Sequence, residues 1–408
     1  MTSIEGIIVN SSGQARKRVE INDAGIIAKV SEPTGVADIV LGEELIFPGF
    51  IDLHVHARED ASVTQTYKED FATASNAAIN GGIVAFAEMP NNPTPPIDNA
   101  SYATKKELTK KSSVEVVLYA GIGPTTNPLC TKVPYKVFMG HSVGNTFFTN
   151  FEDLEKAIAR YEGQYVSFHC EDPKMLDEHK DDATHESRRP PEAEISAIDF
   201  ALILIRKYNL VGKICHCSTV SGIEKIIKAK KDGVNVTVEV TPTHLFFDST
   251  TKLGVESGFM QMNPPVRSSH DDRLKLIEYL KNGSIDYLAT DHAPHTIEEK
   301  QKGTSGIPHL DTYAPVATWL AKEHGFTAQD IARACAENPS VFFNQFSVNK
   351  YGKVEEGFVG SLTVVDMNKP ITISKEFLKT KCGWSPFEGF TFPGSVKMTI
   401  VNGKVYEN

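Results

Sequence analysis

From residue 51 to residue 290 the chain alternates between short apolar runs and longer segments with helix-like spacing of apolar residues. Runs of strand length lie at 51–56, 84–88, 114–119, 136–139, 165–169, 213–217, 234–240 and 286–290. Helix-like segments fall between most of them, at 67–80, 101–111, 151–161, 192–208, 222–231 and 271–281. A parallel strand pair needs a crossover, usually a helix, and the helices then cover the faces of the sheet. Eight such units predict an α/β fold, a (β/α)8 TIM-like barrel.

The two ends of the chain read differently. Residues 6–9, 25–30 and 38–41 are short β-prone runs broken by Gly, Ser and Pro. Residues 361–366, 371–374 and 396–401 resemble them, and Asn402-Gly403 before 404–406 is a strong hairpin signal. The expected division is a small composite β domain from 1–48 with 349–408, and a barrel over 49–348.

Composition narrows the function classes. The 408 residues carry 42 Lys and Arg against 52 Asp and Glu, a formal charge of −10, which argues against nucleic acid as a partner. The densest basic stretch, Lys225, Lys228, Lys230 and Lys231, interleaves with Ile223, Ile226 and Ile227 and reads as a solvated helix face. No apolar run approaches the ~18 residues of a membrane span. The N-terminus lacks the basic region of a secretory signal. Six cysteines without framework spacing fit reduced thiols and a cytoplasmic protein.

In a parallel barrel the C-terminal strand ends gather on one face, where catalytic residues collect. Here they carry His54 and His56, then Arg58; Asn91; Lys136 opening the fourth strand; His169; His216 within the sixth; and Asp291 after the eighth. His54 and His56 are two apart, so a strand turns both to one side, and two imidazoles aimed at one spot can share a divalent metal. An isolated His-x-His means little, and a lone His169 or His216 reads as a core histidine. Their common position at one end of different strands is what carries the argument. Lys136 alone reads as an exposed lysine, because lysines are seldom buried.

Pro48-Gly49-Phe50-Ile51-Asp52-Leu53-His54-Val55-His56 resembles the first-strand motif of the cyclic amidohydrolases. Ala57-Arg58-Glu59, Glu88-Met89-Pro90-Asn91-Asn92, Arg189-Pro190-Pro191-Glu192-Ala193-Glu194 and Asp291-His292-Ala293-Pro294-His295-Thr296 are similar to the type I dihydroorotase branch of that superfamily. The resemblance implies two divalent metal ions, usually Zn2+, with His54, His56 and Asp291 on one and His169 and His216 on the other. It implies that Lys136 is carboxylated and bridges the metals together with a hydroxide; Lys132 is the fallback. Asp291 is also the implied general acid/base. Arg58, Asn91 and His295 are the implied partners of a substrate carboxylate, and Asn263 lies by the pyrimidine ring. The implied reaction is the reversible cyclisation of N-carbamoyl-L-aspartate to L-dihydroorotate in pyrimidine biosynthesis, in an enzyme that is usually a homodimer.

Rival readings are a dihydropyrimidinase, hydantoinase or allantoinase, whose substrates lack the carboxylate that Arg58 would bind, and a non-catalytic homologue. Cys215 and Glu239 leave room for a third metal, although a buried thiol and a supporting carboxylate are the simpler reading. The glycine-bearing loop at 140–146 suits a mobile lid, with Thr146 as a substrate contact. Alternation turns His292 away from the site.

Overall fold

The computed structural model describes residues 2–144, 146–251 and 255–407. Asn145, within the expected lid, lies outside them. The chain begins with four strands, β1 (Thr2–Asn10), β2 (Gly13–Ile21), β3 (Ile27–Ser31) and β4 (Ile39–Pro48). The barrel strands follow: β5 (Phe50–Val55), β6 (Ile83–Glu88), β7 (Glu115–Leu118), β8 (Ala120–Gly121), β9 (Tyr135–Phe138), β10 (Tyr165–His169), β11 (Val211–Ile214), β12 (Val236–Val240) and β13 (Tyr287–Leu288). Five strands close the chain: β14 (Leu362–Asp366), β15 (Ile371–Thr372), β16 (Thr391–Phe392), β17 (Ser395–Val401) and β18 (Lys404–Glu407).

Both ends of the chain enter one sheet, in the order β18-β17-β14-β4-β1-β2-β3. Its inner face packs Ile4, Val19, Ile46, Leu362, Val364 and Ile400 into a core of its own. At the β17–β18 hairpin Val401 pairs with Lys404, and the intervening Asn402 and Gly403 have φ of 51° and 81°. Two successive positive φ values define the hairpin turn that Asn-Gly favours. The hairpin β15–β16 goes elsewhere: Ile373 and Phe392 pack with Phe247, Val316 and Phe387 on the barrel side. Gly49 joins sheet and barrel, and a Cβ there would run into the Val84 methyls and the Ser361 carbonyl.

The barrel strands are parallel and follow chain order, β5-β6-β7 and then β8-β9-β10-β11-β12-β13. Tyr119 breaks the third strand into β7 and β8. The ring is completed from β13 to β5: Val55 bridges His292, the His56 N–H donates to the His292 carbonyl at 2.8 Å, and the Thr290 N–H donates to Asp52 at 3.1 Å. Every residue of β5 and β6 is buried, as expected of strands covered on both faces. The expected helices appear at Phe71–Asn80, Asn99–Leu108, Phe151–Ile158, Pro191–Lys207, Val220–Lys231 and His270–Lys281. Asp70 and Asp98 cap the first two with reciprocal capping boxes, satisfying N–H groups that a helix start leaves free. The helix after the eighth strand, Tyr313–His324, was not among those expected; it is apolar nearly all round and largely buried, so it carries little amphipathic signal.

Candidate metal centre and active site

Four histidines and a carboxylate converge at the C-terminal mouth of the barrel. Asp291 Oδ1 lies 3.0 Å from His56 Nε2 and 3.2 Å from His54 Nε2. His216 Nε2 is 2.9 Å from His169 Nδ1, and the His54 and His216 rings are 5.1 Å apart. Ligand atoms of His54, His216 and Asp291 all lie within 4.8 Å of one another. The backbone is strained where this happens: Arg58, His216 and Asp291 adopt positive φ of 61°, 33° and 51°. Such conformations in non-glycine residues cost about 1–3 kcal/mol each and persist where the surroundings enforce them. His216 therefore lies just past β11 rather than within the strand as expected, and the left-handed turn aims its ring inward.

The donor set suits a metal. Burial pushes the imidazoles of His54, His56 and His216 well below the usual histidine range, with neighbouring basic groups adding to the effect. Neutral imidazoles present lone pairs, and on His54 and His169 the ring nitrogen turned away from the cluster is occupied. Glu239 accepts a short hydrogen bond from His54 Nδ1, and Glu171 takes His169 Nε2 at 2.8 Å. Each bond leaves the other ring nitrogen for the cluster, the arrangement that orients metal-ligating histidines. Glu239 is itself held by Lys213, whose Nζ donates to it at 2.7 Å and to the Leu53 carbonyl at 3.1 Å. Burial alone would raise the Glu171 carboxyl, but Arg189 and His169 outweigh it and hold it down at about 2. Burial raises Asp291 to about 7.

Lys136 is fully buried in β9, contrary to the exposed alternative, and its Nζ donates to Cys215 Sγ at 2.8 Å. The Lys132 side chain takes another course, its Nζ bonding Gln345 at 3.0 Å over the Tyr165 ring. His54, Cys215 and Glu239 also form a tight cluster, in which Lys213 supplies the positive charge that pairs with the Glu239 carboxylate. Burial raises the Cys215 thiol to about 11.

Beside this cluster opens a cavity of about 460 Å³. Arg58, Asn91, Asn263 and His295 all line it. Arg58 is buried, with Nη2 3.1 Å from His295 Nε2 and Nε donating to the Pro294 carbonyl at 3.3 Å. Among the described residues, the buried side-chain oxygen of Asn263 has no hydrogen-bond partner, and that of Asn91 lies beside the His56 ring, leaving acceptors at the cavity for a ligand. Burial and the nearby Arg58 hold the His295 imidazole far below its usual range. His141, Ser142 and Val143 of the expected lid line the cavity; Thr146 does not, and its methyl packs over Gly121 instead. His292 turns away as expected, accepting from the His309 N–H at 3.0 Å. Glu171, Lys213, Lys68 and Glu299 escaped the sequence reading. Glu171 was findable, because His169-Cys170-Glu171 repeats the alternation of His54-Val55-His56.

The amidohydrolase family model matches residues 45–406. A dihydroorotase of Pyrococcus horikoshii is 36% identical over 367 residues, covering 89% of this chain and 81% of its own length. Dihydroorotases of Thermococcus kodakarensis and Bacillus pumilus are 35% and 31% identical, covering 94% and 98% of this chain and 89% and 96% of theirs. The L-hydantoinase of Arthrobacter aurescens superposes over the whole chain and 96% of its own with a TM-score of 0.89; at 23% identity this likeness establishes the shared barrel and β domain only. Fold, cluster and relatives together define a hydrolase of cyclic amides, and the chain belongs to the amidohydrolase family. Within that family it falls with the dihydroorotases.

Proposed function

We propose that the protein interconverts N-carbamoyl-L-aspartate and L-dihydroorotate, in the cytoplasm, as a step of pyrimidine synthesis and as a homodimer. The observation that carries this reading is the buried Arg58–His295 pair facing the cavity beside the histidine cluster. A guanidinium matches a carboxylate bidentately, and dihydroorotate carries a carboxylate where dihydrouracil, hydantoin and allantoin have none. In this division of labour 49–348 supplies the catalytic barrel, and 1–48 with 349–408 the composite β domain.

The residues present would hold two divalent ions, Zn2+ in this proposal: His54, His56 and Asp291 on one, His169 and His216 on the other, with carboxylated Lys136 between them. Such ions supply a water-derived nucleophile at neutral pH and polarise the carbonyl under attack. Arg58, Asn91 and His295 fix the carboxylate, which sets the ring over the cluster, and Asn263 meets the ring edge. Asp291 accepts the proton of the attacking water and delivers it to the departing ring nitrogen; ring closure runs the same path in reverse. Zinc-loaded wild type is compared with Arg58→Ala and Asp291→Ala, using both substrates. Arg58→Ala should raise KM, and Asp291→Ala should lower kcat by about 10²–10⁴. An unchanged KM in Arg58→Ala, or an unchanged kcat in Asp291→Ala, removes the role given to that residue.

A further inference from the structure

His295 is held between two cations and one anion. Arg58 Nη2 lies 3.1 Å from Nε2, while Lys68 Nζ and Glu299 Oε2 each lie 3.3 Å from Nδ1. Lys68 is buried, lines the cavity, and pairs with Glu299 Oε1 at 2.8 Å. Tyr67 donates to the same Glu299 oxygen at 2.7 Å, and Trp384 Nε1 donates to the His295 backbone carbonyl at 2.7 Å, which holds the carboxylate and the His295 backbone in place. A guanidinium can only donate, so Nε2 in this arrangement is an acceptor and the ring proton sits on Nδ1, facing Glu299. A substrate carboxylate reverses the demand. It takes the Arg58 donors for itself, and His295 can join it only by offering an N–H from Nε2. Nδ1 must then accept, and Lys68 is the donor within reach.

We propose that Lys68 and Glu299 form a tautomer switch for His295: Glu299 holds the Nδ1–H form, and Lys68 supports the Nε2–H form that donates to a bound carboxylate. The imidazole stays neutral throughout. One proton leaves Nδ1 to solvent, one arrives at Nε2, and the net charge does not change. Lys68 is thus a positioning residue for carboxylate-bearing rings, and this rests on the proposed dihydroorotate chemistry.

The test uses the zinc-loaded full chain. Lys68→Met should raise the KM for dihydroorotate by about 10- to 100-fold, the worth of a hydrogen bond to a charged group, with kcat within about threefold. Lys68→Gln keeps an N–H donor without the charge and should recover most of that loss. Nitrogen-15 spectra of histidine-labelled protein, with His295 assigned by its loss in His295→Asn, should show Nδ1–H alone and Nε2–H with dihydroorotate in wild type, but Nδ1–H in both for Lys68→Met. If wild type turns over dihydroorotate while Lys68→Met keeps its KM, or while His295 keeps one tautomer, the switch is overturned alone. If wild type does not process dihydroorotate, the proposed function fails and the switch with it.

Discussion

Lys213→Met removes the charge that pairs directly with the buried Glu239 carboxylate. Lys213 and Glu239 are both inaccessible to solvent, and their 2.7 Å contact is the direct ion pair holding the carboxylate that orients His54. Methionine fills the same volume without a donor. Breaking a buried pair by removing one partner costs about 3–5 kcal/mol, because the remaining charge stays desolvated. Against a total stability of about 5–15 kcal/mol that is a large fraction. Glu239 escapes the cost by taking up a proton, but a protonated carboxyl would donate to His54 Nδ1 and move the ring hydrogen to Nε2, the nitrogen that faces Asp291. Metal affinity should then fall by about 10- to 100-fold. Urea unfolding of the metal-free protein reads the first effect, and competition with a chromophoric chelator reads the second. Adding Glu239→Gln should return most of the stability and none of the metal affinity. A loss under about 1 kcal/mol in Lys213→Met, with unchanged metal affinity, would refute the reasoning.

Two further outcomes follow from the same geometry. Glu171 is held at about 2 in the fold against ~4.3 in an unfolded chain, so its contribution is complete above pH ~4.3 and is lost as pH falls toward 2. Between pH 6 and pH 3 metal-free wild type should therefore lose about 2 kcal/mol that Glu171→Gln does not, measured by urea unfolding at each pH. Lys300 Nζ donates to the carbonyls of Gln261, Thr304 and Gly306 at 2.9, 2.6 and 2.9 Å, clamping a loop that lines the cavity. Lys300→Met should cost roughly 1.5–4 kcal/mol and raise amide exchange at residues 304–307; unchanged exchange there would contradict the clamp.

The barrel was legible in the sequence because strand-length apolar runs recur along the chain with segments of helical period between most of them. Less legible were features that arise only when distant segments meet. The eighth strand narrows to Tyr287–Leu288 because closure is made by Thr290 and His292 on β5 through individual bonds, not a full ladder. The histidines could be placed from their strand ends, but the left-handed backbone at His216 and Asp291 could not, because His and Asp favour that conformation over other residues yet still adopt it in only a small minority of cases. Lys136 and Lys213 show the limit most clearly. Both are lysines in short strands, and only the packed barrel reveals that one directly faces a thiol and the other a carboxylate. Lys68 and Glu299 lie more than two hundred residues apart, joined by a contact that no local pattern announces.

The central claim is that this cavity selects a cyclic amide bearing a carboxylate. The measurement that reaches it most directly is kcat/KM of the zinc-loaded protein on L-dihydroorotate, dihydrouracil, hydantoin and allantoin, side by side. The account predicts turnover of dihydroorotate, with each uncharged ring slower by at least about 10²-fold because it leaves Arg58 and His295 without their partner. Turnover of dihydrouracil, hydantoin or allantoin with none of dihydroorotate would contradict it.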